Sequence, residues 1–246
     1  MLKKVSFVFL TFVLFYSLVF LSALDGVNAD TNPELDQERQ EFLGKVKDFD
    51  SEYQQSDLKE LDSVKNSVQK GEIELHNKNL NYTNAFAKEN NSQKVIYVPL
   101  EVEGVKSELN YSVLGVILDN KGQIKNYVEL QIIGNDVNYT ADVKSYMNGN
   151  LVKSKVLELN KKDFETSADS SLKVPGEKKA QAKSWWSKFS TCMNNMGVAS
   201  WAISAISVAC SAVCVGTAGA GCAACIVAAG LATEGVAAKC VTEASL

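Results

Sequence analysis

The chain has 246 residues, 46% of them hydrophobic, with 3 Pro and a formal net charge of −4. That length and apolar content argue for folded structure and against wholesale disorder, and the acidic balance argues against a strongly basic nucleic-acid binder. The single histidine, His76, removes most imidazole-based catalysis and any His-rich metal site.

Residues 1–29 carry Lys3 and Lys4, an apolar run from Phe7 to Leu24, and then Val27-Asn28-Ala29. A basic start, an apolar middle and a small-residue triplet read as a secretory signal cut after Ala29 by signal peptidase. The run also borders on the length that spans a bilayer, so an uncleaved anchor is the alternative. Both readings place the rest of the chain outside the cytoplasm, as a secreted protein or a membrane-associated precursor.

Residues 30–166 are expected to form an acidic α+β domain. Thr31-Asn32-Pro33-Glu34 combines a capping oxygen, an early proline and acid in the first turn, which starts a helix. Leu35, Phe42, Val46, Phe49 and Tyr53 follow at near-helical spacing, and Leu58, Leu61, Val64 and Val68 predict a second helix. From Lys94 the pattern turns to strands: Val95–Val98, Leu109–Leu118, Ile124–Ile133, Val137–Met147 and Leu151–Leu159. Asp119-Asn120-Lys121-Gly122 and Asn148-Gly149 are hairpin signals, so an antiparallel meander of about four or five strands is expected. His76 lies beside Glu72 and Glu74, but a solitary exposed histidine is the better reading. Asn81, Asn110 and Asn138 begin glycosylation sequons, which are too short and frequent to carry weight. The acidic residues are spread out, as on a solvated face. The domain reads as a binder and not as an enzyme.

Residues 167–182 read as a linker or processing region. Ser167-Ala168-Asp169-Ser170-Ser171 and Pro175-Gly176-Glu177-Lys178-Lys179 are polar and turn-prone. Ala180-Gln181-Ala182 repeats the small-residue triplet immediately before Lys183, at the point where composition changes, and marks a second cleavage site at Ala182–Lys183.

Residues 183–246 hold all six cysteines, Cys192, Cys210, Cys214, Cys222, Cys225 and Cys240, and no charge falls in the 45 residues between Lys188 and Glu234. An even cysteine count in a small exported module favours disulfides. The Ala, Val, Ile and Gly surroundings lack the polar groups that orient metal ligands, so no metal or cofactor is expected. Gly219-Ala220-Gly221-Cys222-Ala223-Ala224 resembles a dinucleotide fingerprint, yet no further fold follows it. Cys210 and Cys214 share one helical face, Cys222 and Cys225 another, and glycines lie between them. A helical hairpin would then nest Cys214–Cys222, Cys210–Cys225 and Cys192–Cys240. Trp185, Trp186 and Trp201 all fall here and are expected to contact a membrane interface. Two compositions this different are expected to form two cores.

The spacing Cys210-x3-Cys214-x7-Cys222-x2-Cys225 in an Ala/Gly/Val background, behind a signal and a cysteine-free exported domain, resembles halocin-type immunity/bacteriocin fusion precursors. The resemblance covers the layout and residues 183–246. It implies a precursor that is cut to release an antimicrobial peptide acting on bacterial membranes. It implies also that the N-terminal part is the immunity protein and the partner of that peptide. The rival expectation is a surface adhesin or ligand-binding β domain held at the membrane by a C-terminal hairpin anchor.

Overall fold

A computed structural model describes residues 52–164 and 199–216, together with Phe42, Lys45, Lys188, Thr191, Cys192, Asn195, Met196, Gly221, Cys222, Cys225 and Cys240. The signal segment with Ala29, the linker with Ala182, and Lys183, Trp185 and Trp186 lie outside the described residues. Gln37–Leu246 belong to one compact unit.

Seven strands form one sheet, β1 (Gln54–Ser56), β2 (Phe86–Glu89), β3 (Gln93–Pro99), β4 (Val113–Asp119), β5 (Ile124–Asn135), β6 (Thr140–Met147) and β7 (Asn150–Glu158). Their order in space is their order in the chain, and every neighbouring pair is antiparallel. Helix α1 (Leu61–Gln69) precedes β2, α2 (Lys161–Phe164) follows β7, and α3 (Ser200–Gly216) lies in the cysteine-rich tail. A simple meander follows from short turns, since antiparallel neighbours need only a tight connection.

The two turns legible from sequence are both present. Asp119 Oδ1 accepts from the backbone N–H of Lys121 and Gln123, each at 2.9 Å, and so closes the β4–β5 turn. Asn148 and Gly149 join β6 to β7 with φ of 49° and 80°. Positive φ at both central residues is the twist-matched hairpin turn, which asparagine and glycine adopt most readily. Asn148 also reaches sideways, accepting from Tyr127 N–H through Oδ1 at 2.9 Å and so pinning the turn to β5.

Alternation along the strands gives the sheet two apolar sides. One side carries Ala87, Ile96, Val98, Leu114, Val116, Leu118 and Tyr127, which pack with Val64 of α1 and with Ile73 into one buried cluster. The opposite side, by the strand registers, carries Tyr97, Val113, Ile117, Val128, Leu130, Ile132, Ala141, Val143 and Leu157, all buried. α3 packs across β5, β6 and β7.

Strands β1 and β2 were not legible from the sequence. Gln54-Gln55-Ser56 has no apolar residue to alternate, and β2 is only four residues long; each is recruited by pairing with its neighbour. α3 of the tail lies with the sheet in the same compact unit. Burial of apolar area does not depend on the charge of the surrounding chain, and the apolar side of the sheet accepts the tail helix.

Replacing Gly149 by alanine would set a methyl group 3.1 Å from Glu74 Oε2 at a φ of +80°. The expected cost is about 1–2 kcal/mol, since L side chains resist that conformation, and a lowered Tm in circular dichroism melts measures it. An unchanged Tm would mean that the turn does not set the β6–β7 register.

Candidate functional site

The charged side of the domain offers two places where chemistry-bearing residues meet. Glu129 on β5 is buried, and it accepts from the backbone N–H of His76 at 2.8 Å and of Asn77 at 2.9 Å, and from Gln131 Nε2 at 2.6 Å. His76 Nδ1 lies 3.3 Å from the same carboxylate, and its ring stacks on Tyr146 at 3.8 Å between centroids. His76 is therefore neither solitary nor partnered by Glu72 or Glu74. Its partner comes from 53 residues further along the chain, a pairing that no local pattern reveals. Glu129 ties the segment after Ile73 onto the sheet, because two successive backbone donors there, of His76 and Asn77, both bond to its carboxylate.

Lys94 on β3 sits among Glu60 at 2.8 Å, Asp57 at 3.0 Å and Glu89 at 3.7 Å. Lys94, Glu60 and Glu89 border a cleft of about 290 Å³ that Asp119 also lines. Burial pulls the Lys94 ammonium down, but hydrogen bonds to Glu60 and Asp57 more than reverse this and leave it above the usual lysine range. Hydrogen bonds from Lys59 and then Lys94 hold Asp57 down at about 2. Among the described residues no group of His, Cys, Asp and Glu is placed to hold a metal ion.

The feature without an internal purpose is the seat of α3. Its sequence, Ser-Trp-Ala-Ile-Ser-Ala-Ile-Ser-Val-Ala-Cys-Ser-Ala-Val-Cys-Val-Gly, has no polar face, and Trp201 to Cys210 are all buried. A helix that is apolar all round belongs in a core or in lipid. Its serines do not disturb this, because each hydroxyl is satisfied within or beside the helix. Ser204 Oγ donates to Ser200 O at 3.1 Å, Ser207 Oγ to Ser204 O at 2.9 Å and Ser211 Oγ to Val208 O at 3.0 Å. Bonding back to the preceding turn is how serine hides its polarity in an apolar helix.

The entry of α3 is built by the end of the acidic domain. Ser200 Oγ donates to Asp163 Oδ1 at 3.1 Å. The next residue in α2, Phe164, stacks on the Trp201 indole at 5.2 Å with the planes 10° apart, and Tyr111 meets its edge at 5.2 Å. Beneath the indole lies Gly134 of β5, where a Cβ would fall 2.7 Å from Cη2 and Cζ2. Ala141, paired with Gly134 across the ladder, continues the shallow floor. Trp201 was expected at a membrane interface; in this structure it is 1% exposed and fills a slot in the sheet. No sequence signal distinguishes an indole destined for lipid from one that fits a glycine floor, since both need an apolar surround.

The cysteines lie in the same region. Cys192 is bonded to Cys240 and Cys214 to Cys222. Cys210 and Cys225, expected as the third pair, are buried free thiols. Burial, then a hydrogen bond to Cys225, pushes the Cys210 thiol well above its usual range. Burial also raises the phenol of Tyr97 on β3, with Cys225, Tyr53 and Cys210 adding to it, so the thiol pair lies within electrostatic reach of the sheet. Among the described residues no helix is long and apolar enough to cross a membrane.

Fold and site together define an α+β domain with a seven-stranded antiparallel meander, one side of which seats an apolar, disulfide-linked segment of the same chain. No protein-family model, no curated protein and no solved structure matches this chain.

Two outcomes check the electrostatic description. Glu129→Ala strands two backbone donors and should lower the unfolding free energy by about 2–4 kcal/mol in urea titrations, with Glu129→Gln costing less. A loss well under about 1 kcal/mol would show that the His76 segment is held by something else. The second concerns acid. A carboxyl depressed on folding contributes stability above its unfolded pKa and loses it as pH falls through the folded one. Asp57 therefore contributes to the fall in stability between its ordinary value of 3.8 and about 2. Asp57→Asn should flatten that limb of a pH-dependent unfolding curve, most visibly at low salt; an unaltered limb would count against the Lys59 and Lys94 bonds.

Proposed function

We propose that the chain is an exported antimicrobial precursor of the halocin-type immunity/bacteriocin kind. Residues 183–246 are the active peptide, and residues 30–166 hold it in a harmless form and confer immunity. The observation that carries this reading is α3 itself, a seventeen-residue helix with no polar face and self-satisfied serines, docked on the sheet of a separate, acidic stretch of chain. Such a helix suits lipid as well as it suits a core, because small residues permit close helix approach in a membrane and the hydroxyls of Ser204, Ser207 and Ser211 bond to the helix's own backbone. While docked it offers a membrane nothing.

The proposal includes processing at Ala182–Lys183 by an extracellular protease, after removal of the signal at Ala29. Trp185 and Trp186 would then stand near the new terminus, and Trp201 would join them at the membrane interface once undocked. In the free peptide Cys210 and Cys225 close as the third nested bond of a helical hairpin, by exchange with an external disulfide that leaves as two thiols. Disulfides matter for a module of this size, since about 64 Ala- and Gly-rich residues bury too little to stand alone.

Intact-mass spectrometry on culture supernatant and membranes of the producing cell tests this. The expected result is a fragment starting near Lys183 that gains about six hydrogens on reduction and inhibits neighbouring bacteria. Full-length chain alone, retained in the membrane fraction, would overturn the reading in favour of an anchored binding domain.

A further inference from the structure

We propose that the slot over Gly134 is the recognition site by which the acidic domain holds the tail, and rebinds it after the chain is cut. This rests on the processing described above, and it assigns the specificity to one contact.

Three features converge there and nowhere else along α3. The floor is a glycine whose missing Cβ is what makes room: an alanine would place a carbon 2.7 Å from the indole. The walls, Phe164 and Tyr111, come from two separate parts of the domain and meet the indole in the two favourable aromatic geometries, parallel stacking and edge-on. Asp163 then receives the Ser200 hydroxyl at 3.1 Å and so fixes the direction in which the helix leaves the slot. The remainder of α3 presents Ala, Ile, Ser, Val and Cys, which any apolar surface of suitable width would accept.

A large aromatic in a closely fitted, water-free pocket is the usual hot spot of a protein interface, while the surrounding contacts mainly exclude water. The occupant is therefore the corner Ser200-Trp201 followed by an apolar helix, and a peptide with a small residue at that corner is a poor ligand. All six cysteines lie in the tail, so no disulfide joins it to the domain, and after a cut the two parts are held without a covalent bond.

The test uses the full chain with a site-specific protease sequence placed between Ser167 and Ala182. After cleavage, size-exclusion chromatography over a dilution series reads the concentration at which domain and tail separate. Gly134→Val and Trp201→Leu should each raise that concentration by about 30-fold or more. The double variant should be little worse than the weaker single one, because both remove the same contact. Val137→Ala, at a residue 79% exposed, should change nothing. Should Gly134→Val not fold, Trp201→Leu and Phe164→Leu carry the test, since neither adds a clash to the sheet. Slot variants that stay together like the parent, or losses that simply add, would overturn the proposal. Parts that stay associated through the slot but never inhibit bacteria would remove the antimicrobial reading and leave the slot. A fragment that kills while slot variants still retain it would do the reverse.

Discussion

The structure depends on the burial of a helix that has no face for water. Most helices at a protein surface need cover on one stripe only. α3 needs it all round, since Trp201 to Cys210 are buried without interruption. That demand explains the composition of the sheet beneath it, where β-branched and small residues alternate with polar ones along β5 and β6. It explains the glycine at position 134, because a flat floor of side chains would hold the indole too far out. α2 brings Asp163 and Phe164 to the point where α3 begins.

The second side of the sheet is closed differently. There α1 and the segment around Ile73 come from the same stretch of chain, and the buried carboxylate of Glu129 fastens that segment by its backbone. Hydrogen bonds to a charged acceptor, shielded from water, are stronger than neutral ones, and they specify a path for the chain that apolar contacts leave loose. The α3 side uses no such fastening beyond Ser200 and Asp163 among its described contacts. One cover is locked by polar geometry, and the other rests on shape and apolar area.

What was legible in the sequence follows the range of the interactions involved. Asp119–Gly122 and Asn148-Gly149 act within four residues, so their chemistry can be read directly, and with them most of β3 to β7. Gln54–Ser56 becomes a strand only because β2 offers an edge, and Glu129 becomes a clasp only when His76 arrives from 53 residues away. Composition misleads in a specific manner. The absence of charge between Lys188 and Glu234 states correctly that this segment avoids water. It does not state which apolar surface replaces the water. Trp201 has the same transfer preference for lipid as for the slot over Gly134, and only the three-dimensional placement of that glycine separates the two.

That ambiguity is also what the proposed activity requires. A segment that could be buried only in this sheet would be inert once released, and one suited only to lipid would not stay on the domain. α3 meets both conditions because three of its four serine hydroxyls, Ser204, Ser207 and Ser211, bond back to its own backbone and carry those bonds with them, while the Ser200–Asp163 bond is given up on undocking. The two partners then differ in their alternatives. Undocked, the peptide can bury its apolar surface in a membrane. The domain, left with Leu130, Ile132 and Val143 uncovered, can regain that burial only from another copy of the same segment or by self-association. On the proposed function, free domain is therefore the species under pressure to find peptide, and an excess of domain around a cell would protect it by that imbalance.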